Sequence, residues 1–162
     1  MSEPKVLFED HGSIAVIKLN RPEKRNALDP ETVMMFNEFS EKAKDPKFRA
    51  VIVAGDESAF CGGADITAAA SEDGMGWKSV EQALNEGYHV GLNNMIYMDK
   101  VVITAVEGAC AGIGCAYYLS SDIAVMAKSS FFQIGFSKIA LIPDGGSNWL
   151  LTKVVGYQQA FR

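Results

Sequence analysis

The amino-acid sequence predicts an α/β domain with parallel strands. Three short apolar runs support this fold class, at residues 49–54, 101–106 and 122–127. Each run is bounded by polar residues, a pattern typical of strands that are buried on both faces of a sheet. Segments with helical periodicity alternate with the strand-like runs. This alternation favours a parallel sheet, in which ligands usually bind at the carboxyl ends of the strands.

Alternation of apolar and polar residues at the start of the chain predicts a β-hairpin. Apolar residues within 6–8 precede a turn at His11-Gly12, and apolar residues within 14–19 follow it. Two short strands joined by a tight turn fit this spacing. A charged loop over residues 20–26 comes next.

Two longer helices are predicted. Asp29 and Pro30 mark the N-cap and the first position of a helix over residues 30–44, and Asp45-Pro46 ends it. A second helix is expected near residues 78–98, because apolar side chains recur there at helical spacing. The residues of this apolar face are Val80, Leu84, Tyr88, Leu92 and Met95.

Composition and charge narrow the class of protein. Hydrophobic residues make up 48% of the 162 residues, which excludes a disordered or fibrous chain. A net charge of -5 argues against a general nucleic-acid or anionic-membrane surface. The three cysteines are odd in number and lack CxxC spacing, so we expect buried thiols in a reducing compartment and no metal site. With no apolar stretch long enough to span a bilayer, the sequence predicts a cytoplasmic protein.

Two Gly-rich loops each follow a predicted buried strand, at residues 60–66 and 107–116. Small side chains let backbone N–H groups face a ligand, and two such donors aimed at one oxygen would stabilise a thioester enolate. Glycines in these places also serve as turn residues or helix-packing contacts, so spacing alone leaves both interpretations open. Neither loop fits the phosphate-binding patterns GxxxxGK[ST] or GxGxxG.

Asp144 is the acid with the most informative surroundings. It lies between an apolar run that ends in Leu141 and Ile142 and a predicted helix that contains Trp149. As an N-cap, its carboxylate would accept from the first free N–H groups of that helix, which favours the ionised form. As a general base in an apolar pocket, it would be driven towards the neutral acid by burial. A residue that takes up and returns a proton must adopt both the ionised and the neutral form.

Five short motifs follow one another along the chain. They are residues 17–28 (IKLNRP with NAL), 60–66 (FCGGADI), 106–114 (VEGA with GIG), 121–123 (SDI) and 136–146 (FSK with PDGG). With these motifs in this order, the chain resembles the enoyl-CoA hydratase/isomerase (crotonase) superfamily. The resemblance implies an α/β spiral of ββα units and one domain over residues 1–162. We expect this domain to be the N-terminal spiral core, with a C-terminal helical part missing.

The resemblance also implies a site, carried over position by position. The backbone N–H groups of Ala64 and Ile113 would form an oxyanion hole, and Asp144 would be the catalytic acid. Ile113 stands where relatives usually have Gly or Ala, so its side chain would narrow the acyl pocket. The acyl-CoA substrate would lie against Lys24, Ala27, Ala64, Asp65, Ile66, Thr67, Gly112, Ile113 and Phe136. The resemblance further implies no permanently bound cofactor, with coenzyme A as part of the substrate, and a homotrimer or hexamer.

Departures from the family pattern indicate the chemistry. Two glutamates of family hydratases are replaced by Ala116 and Phe136. Hydration uses both carboxylates, whereas a 1,3-proton shift needs one. The segment Phe136 to Gly146 is similar to that of the phenylacetate-degradation isomerase branch. An enoyl-CoA isomerase with Asp144 as acid and base is therefore implied.

The sequence leaves other functions open. One is an enoyl-CoA hydratase, and another is a non-catalytic binding or assembly protein of the same fold. In a minor alternative, the aspartate attacks a halogenated aromatic acyl-CoA as a nucleophile.

Overall fold

The computed structural model describes residues 3–69 and 77–161, which fold into two sheets and several helices. The strands are β1 (Val6–Asp10), β2 (Ile14–Leu19), β3 (Ala50–Ala54), β4 (Ala59–Cys61), β5 (Val101–Val106), β6 (Ala109–Ala111), β7 (Ile123–Met126) and β8 (Phe131–Gln133). The α-helices are α1 (Pro30–Lys42), α2 (Ile66–Ala69), α3 (Val80–Gln82), α4 (His89–Ile96), α5 (Gly114–Leu119), α6 (Ser147–Val155) and α7 (Tyr157–Ala160). Short 3₁₀ helices cover Pro22–Lys24 and Phe136–Ile139.

The larger sheet has the strand order β1-β2-β3-β5-β7. The strands β1 and β2 pair antiparallel, which confirms the predicted hairpin. The pairs β2-β3, β3-β5 and β5-β7 are parallel. The predicted α/β class with parallel strands is therefore confirmed.

A second, smaller sheet has the order β4-β6-β8, and its strand pairs are also parallel. This sheet is absent from the sequence prediction, which placed β4 and β6 within the two Gly-rich loops. Strands of three residues are too short to carry a recognisable alternation. The strands β4 and β6 are neighbours in this sheet, so the Gly-rich segments that contain them leave the sheet side by side.

The core lies between the larger sheet and the helices. Inward-facing strand residues such as Ile17, Val53 and Val102 are buried, and Phe36 of α1 is buried against them. The ring of Phe36 meets that of Tyr117 edge-on, with centroids 5.0 Å apart, so α1 and α5 share this core. Among the described helices, none is long and apolar enough to span a membrane.

The predicted start of α1 is confirmed in detail. The Asp29 carboxylate accepts from the Thr32 N–H at 2.9 Å, and Pro30 occupies the first helical turn. The helix ends at Lys42 rather than at residue 44. A proline two residues beyond Lys44 restricts the preceding backbone, which explains why the helix stops nearby.

The predicted second helix is interrupted. Between α3 and α4, residues 83–88 form a π-helix, so the helical segment covers Val80–Ile96 in three parts. In an ideal α-helix, the side chains of residues i and i+4 are offset by about 40° around the helix axis. The wider turn of a π-helix compensates for this offset. Tyr88, Leu92 and Met95 are buried as predicted, whereas Val80 is exposed.

The prediction that residues 49–54, 101–106 and 122–127 form strands buried on both faces is wrong in one respect. The strands form, as β3, β5 and β7, but β3 and β5 bury only every second residue and β7 buries none: Ile123 is 50% exposed and Val125 is 58% exposed. β7 lies at the edge of the larger sheet. Sequence periodicity reports the apolar character of a strand and not its place in the sheet order.

Candidate active site

The first Gly-rich segment is held by backbone pairing with the loop that precedes α1. The Gly62 N–H donates to the Arg25 carbonyl oxygen at 2.8 Å. Leu28 donates its N–H to the Gly63 carbonyl oxygen at 2.8 Å and accepts from the Asp65 N–H at 3.0 Å. We call these two bonds the Leu28 bridge. Successive N–H groups of extended backbone point to opposite sides, so the Ala64 N–H points away from Leu28.

The second Gly-rich segment turns from β6 directly into α5. Gly112, at a φ of +53°, donates its N–H to the Gln133 carbonyl oxygen of β8 at 3.0 Å. Ile113 is the N-cap residue of α5, and its carbonyl oxygen accepts from the Ala116 N–H at 2.9 Å. An N–H group at the start of a helix has no intrahelical partner, so the Ile113 N–H faces outward from the helix.

The two segments meet at their glycines. A Cβ atom on Gly63 would lie 3.1 Å from the Ala111 carbonyl oxygen and 3.5 Å from the Gly112 Cα. The φ of Gly63 is +100°, which residues with a side chain rarely adopt. Close approach of the two backbones therefore requires glycine at this position.

Neither of the two predicted oxyanion donors has a protein acceptor in the described part of the chain. The bonds of Leu28, Asp65 and Gly112 use the neighbouring backbone groups and leave the Ala64 and Ile113 N–H groups unpaired. Both residues line the same cavity. Two free N–H donors in one cavity are the arrangement that an oxyanion requires.

The Asp144 side chain does not cap α6, contrary to the N-cap interpretation of the sequence. Gly146 is the N-cap residue, and no side-chain hydrogen bond caps this helix. Instead the Asp144 carbonyl oxygen accepts from the Ser147 N–H at 3.0 Å and from the Ser147 hydroxyl at 2.8 Å. The backbone carbonyl thus anchors the helix start, and the carboxyl group is left for the cavity.

Burial changes the acidity of Asp144. Its Oδ1 atom is buried and, among residues 3–69 and 77–161, has no hydrogen-bond partner. Burial raises the pKa of the Asp144 carboxyl to about 6, and a hydrogen bond from its own backbone N–H opposes this shift. A carboxyl group with such a pKa can both accept and donate a proton near neutral pH.

The cavity has a volume of about 460 Å³ and an opening to solvent. Apolar side chains of Phe136, Ile139 and Leu141 form one wall, beside Asp144. Every residue that the sequence analysis assigned to the site lines this cavity: Lys24, Ala27, Ala64, Asp65, Ile66, Thr67, Gly112, Ile113, Phe136 and Asp144. The structure therefore brings the candidates together, although their roles toward a substrate stay predictions.

Asp65 differs from the other residues of this set because its carboxylate is engaged by protein groups. Its Oδ2 accepts from the Arg21 Nη2 at 3.1 Å, and its Oδ1 accepts from the Thr67 N–H at 3.1 Å. Arg21 was missed by the sequence analysis, which took residues 20–26 as a charged loop. Its Asp65 partner is 44 residues away, so no local pattern could indicate the burial of this arginine.

Comparison with known proteins agrees with this geometry. The sequence profile of the enoyl-CoA hydratase/isomerase family matches residues 9–162. The chain belongs to the enoyl-CoA hydratase/isomerase family. A probable enoyl-CoA hydratase of Rhodobacter capsulatus is 34% identical over 99% of this chain and 60% of its own length. The 1,2-epoxyphenylacetyl-CoA isomerase of Escherichia coli K12 is also 34% identical, over 96% of this chain and 60% of its own length.

The solved structures show the same fold. An enoyl-CoA hydratase from Polaromonas sp. JS666 superposes with a TM-score of 0.83 at 31% identity, over 96% of this chain and 60% of that chain. The crotonase fold inferred from the sequence motifs is confirmed. The present chain spans about 60% of the length of the curated relatives that it matches.

The two positions at which the sequence analysis expects the glutamates of hydratases are buried here. Ala116 has no exposed surface, and Phe136 is 7% exposed. A Cβ on Gly145 would lie 2.9 Å from the Ala116 Cβ and 3.0 Å from the Ile113 Cγ1, so apolar atoms pack closely around Gly145. The Ile113 side chain thus occupies space beside Asp144. In the described residues no group of three His, Cys, Asp or Glu side chains could hold a metal ion.

Proposed function

We propose that this protein shifts a carbon–carbon double bond of an enoyl-CoA thioester, with Asp144 as the acid and base. The observation that carries the proposal is the Asp144 carboxyl group, whose Oδ1 is buried and which lines the same cavity as Ala64 and Ile113 with their unpaired N–H groups. Membership of the enoyl-CoA hydratase/isomerase family supports a CoA thioester as the substrate.

The reaction needs one proton carrier and one oxyanion site. With the thioester oxygen accepting from the Ala64 and Ile113 N–H groups, the Asp144 carboxylate takes a proton from C2 of a 3-enoyl-CoA. The electron pair moves onto the thioester oxygen and forms a dienolate, which the two donors stabilise. The protonated Asp144 then returns the proton to C4. The double bond moves to C2 without any change in composition.

Hydration is less well supported by the side chains of the cavity. A water molecule that adds to the double bond is held and deprotonated by carboxylates in family hydratases, at positions occupied here by Ala116 and Phe136. The Asp65 carboxylate lines the same cavity but is bonded to Arg21 and Thr67. Asp144 alone would have to activate water and protonate carbon.

Other residues that line the cavity would bind the CoA part of the substrate. Lys24 is exposed and lines the cavity, so its ammonium group would pair with a phosphate of CoA. Ala27, Ile66 and Thr67 would contact the adenine and pantetheine end, and Phe136 the acyl group. The proposal includes no permanently bound cofactor, a homotrimeric or hexameric assembly, and a cytoplasmic location.

The deciding experiment is incubation of the protein with a 3-enoyl-CoA in heavy water. We expect the double bond to move to C2, with deuterium incorporated at C4 or C2 and no added water, as followed by NMR and mass spectrometry. Asp144→Asn should lower kcat by about 10²- to 10⁴-fold, because it removes the proton carrier. The kcat/KM of the natural sequence should rise with pH through a single ionisation near the pKa of Asp144, about 6.

Asp99→Asn is the matched control, since the Asp99 side chain is 86% exposed and lies outside the cavity lining. It should leave turnover unchanged. A product that carries added water as its main form would favour the hydratase alternative, which the name of the Rhodobacter capsulatus relative also suggests. Binding of acyl-CoA without any turnover would favour a non-catalytic binding protein.

A further inference from the structure

The Ala64 N–H is positioned by side chains that lie behind the cavity wall. Asp65 is 6% exposed, and its Oδ1 accepts from both the N–H and the hydroxyl of Thr67, at 3.1 and 2.6 Å. Its own N–H completes the Leu28 bridge. The backbone on the C-terminal side of Ala64 is therefore fixed by three hydrogen bonds that all involve Asp65.

Arg21 connects this residue to the facing loop. Its side chain is 9% exposed, and its Nη2 lies 3.1 Å from Asp65 Oδ2 and 3.3 Å from Asp29 Oδ2. Its Nη1 donates to the Ala27 carbonyl oxygen, next to Leu28. One guanidinium group thus contacts Asp65, the residue next to Leu28 and the N-cap residue of α1. A lysine could not span these acceptors, because its ammonium group is a single point donor.

The Tyr88 hydroxyl supports the same bridge from the other side. It donates to the Leu28 carbonyl oxygen at 3.2 Å, the oxygen that also accepts from Asp65. Tyr88 lies in the π-helical segment 83–88 and is 3% exposed. Leu28 is therefore held by Arg21 through Ala27 and by Tyr88 directly, and its remaining bonds fix the Gly63 and Asp65 backbone.

We infer that Arg21 and Asp65 are positioning residues that aim the Ala64 N–H at the thioester oxygen, and that Asp65 acts in this way and not as a substrate ligand. The inference rests on the proposed function for the role of Ala64. Its premise is that an oxyanion donor must lie within a few tenths of an ångström of its place, since loss of one donor costs about 10²- to 10³-fold in kcat. A buried ion pair is by itself weak evidence for a stabilising role.

The test uses Asp65→Asn and Arg21→Lys. The asparagine keeps an oxygen for Thr67 but presents no charge to Arg21, and the lysine keeps the charge but not the three-way contact. We expect each variant to lower kcat by about 10- to 100-fold, with KM changed by less than about threefold, because the donor is displaced and not removed. Circular dichroism at the assay temperature establishes that each variant is folded.

Lys5→Met is the matched control. Lys5 bonds the same Asp29 carboxylate at 2.7 Å and also pairs with Glu31, so its contacts lie on the α1 side of the network. We expect it to lower stability with little effect on kcat. Equal loss of kcat in Lys5→Met and in the two test variants would overturn the inference, because the network would then act through stability alone.

A second readout does not depend on turnover. The infrared carbonyl stretch of a bound saturated acyl-CoA, labelled with ¹³C at the thioester carbon, should move to lower wavenumber in the natural sequence and less so in Asp65→Asn and Arg21→Lys. If isomerisation depends on Asp144 while both variants keep full kcat and the full shift, the inference is wrong and the proposed function stands. If no isomerisation occurs but the shift is present and reduced in both variants, the proposed function fails and the inference stands.

Discussion

At the scale of single residues, Asp144 shows how backbone and side chain can divide two tasks. Its carbonyl oxygen accepts both donors of Ser147 and so anchors α6, while its Oδ1 is buried without a partner among the described residues. A capping carboxylate would be held in the ionised form by helix N–H groups. Since the carboxyl group makes no such bonds, burial controls its pKa and raises it to about 6.

This raised pKa predicts that Asp144 destabilises the folded protein at neutral pH. The folded pKa exceeds the ordinary value of 3.8, so the folded state binds more protons between the two values, and stability falls as pH rises through this range. Asp144→Asn removes this loss. We expect its free energy of unfolding, relative to the natural sequence, to increase by on the order of 1 kcal/mol between pH 4 and pH 7, as measured by urea denaturation.

The exposed Asp99→Asn variant provides the reference for that measurement and should show no such pH-dependent gain. A stability difference for Asp144→Asn that is the same at pH 4 and pH 7 would mean that the Asp144 carboxyl titrates normally in the folded state. Asp144 would then lack the raised pKa on which the proposed proton transfer depends.

Sequence motifs identified the residues that line the cavity. They did not identify the residues that lie behind its wall and position those groups. Ala64 and Ile113 could be assigned because their Gly-rich segments have a recognisable order along the chain. Arg21 and Tyr88 could not, since a buried arginine looks like any loop arginine until Asp65 is folded against it. Tyr88 was predicted as a core residue from its spacing, and its hydroxyl bond to Leu28 depends on the tertiary fold.

At the scale of secondary-structure elements, the chain is predictable where local signals are strong. The hairpin and α1 follow from alternation and from the Asp29-Pro30 pair. The π-helical segment 83–88 and the small sheet depend on packing between distant segments, so no local pattern indicates them. The Gly87 carbonyl oxygen of the π segment, for example, accepts from the Asn37 side chain of α1 at 3.0 Å.

The start of α1 provides an element-scale prediction. The Asp29 carboxylate accepts from the Thr32 N–H and hydroxyl, at 2.9 and 2.7 Å, and pairs with Lys5. Asp29→Ala should therefore lower the free energy of unfolding by about 1–2 kcal/mol at pH 7, as measured by urea denaturation. Glu31→Ala is the control, because Glu31 is exposed in the same helical turn and also pairs with Lys5, but does not cap the helix.

The effect of Asp29 should also depend on pH. Burial alone would raise the pKa of Asp29, but hydrogen bonds from Lys5 and Thr32 outweigh it and hold the pKa below 3.8. A depressed folded pKa gives stability that is complete above 3.8 and is lost as pH falls through the folded value. The difference between Asp29→Ala and the natural sequence should therefore shrink below pH 3.8. A difference that persists unchanged there would contradict this account.

At the scale of the whole molecule, the larger sheet has two unlike faces. One face is covered by helices and buries Val51 and Val102. On the other face, an apolar row crosses four strands through the registers of Val16 with Ile52, Ile52 with Ile103 and Ile103 with Ile123. We call Val16, Ile52, Ile103 and Ile123 the open row. The exposure of Ile123, at 50%, marks the less covered end of this row.

The open row predicts self-association through this face, in keeping with the proposed trimer or hexamer. Ile123 is exposed and the other three residues of the row are half-buried, and incompletely covered apolar surface of this kind is a mark of protein interaction sites. We expect sedimentation velocity to give a mass of about three or six times that of the 17.5-kDa chain. Ile123→Lys should shift the distribution to the single chain, since a charge in a buried apolar contact is costly. Val80→Lys, at a residue 69% exposed on α3, should leave the assembly intact. A natural sequence that sediments as a single chain at every concentration would show that this face stays open to water.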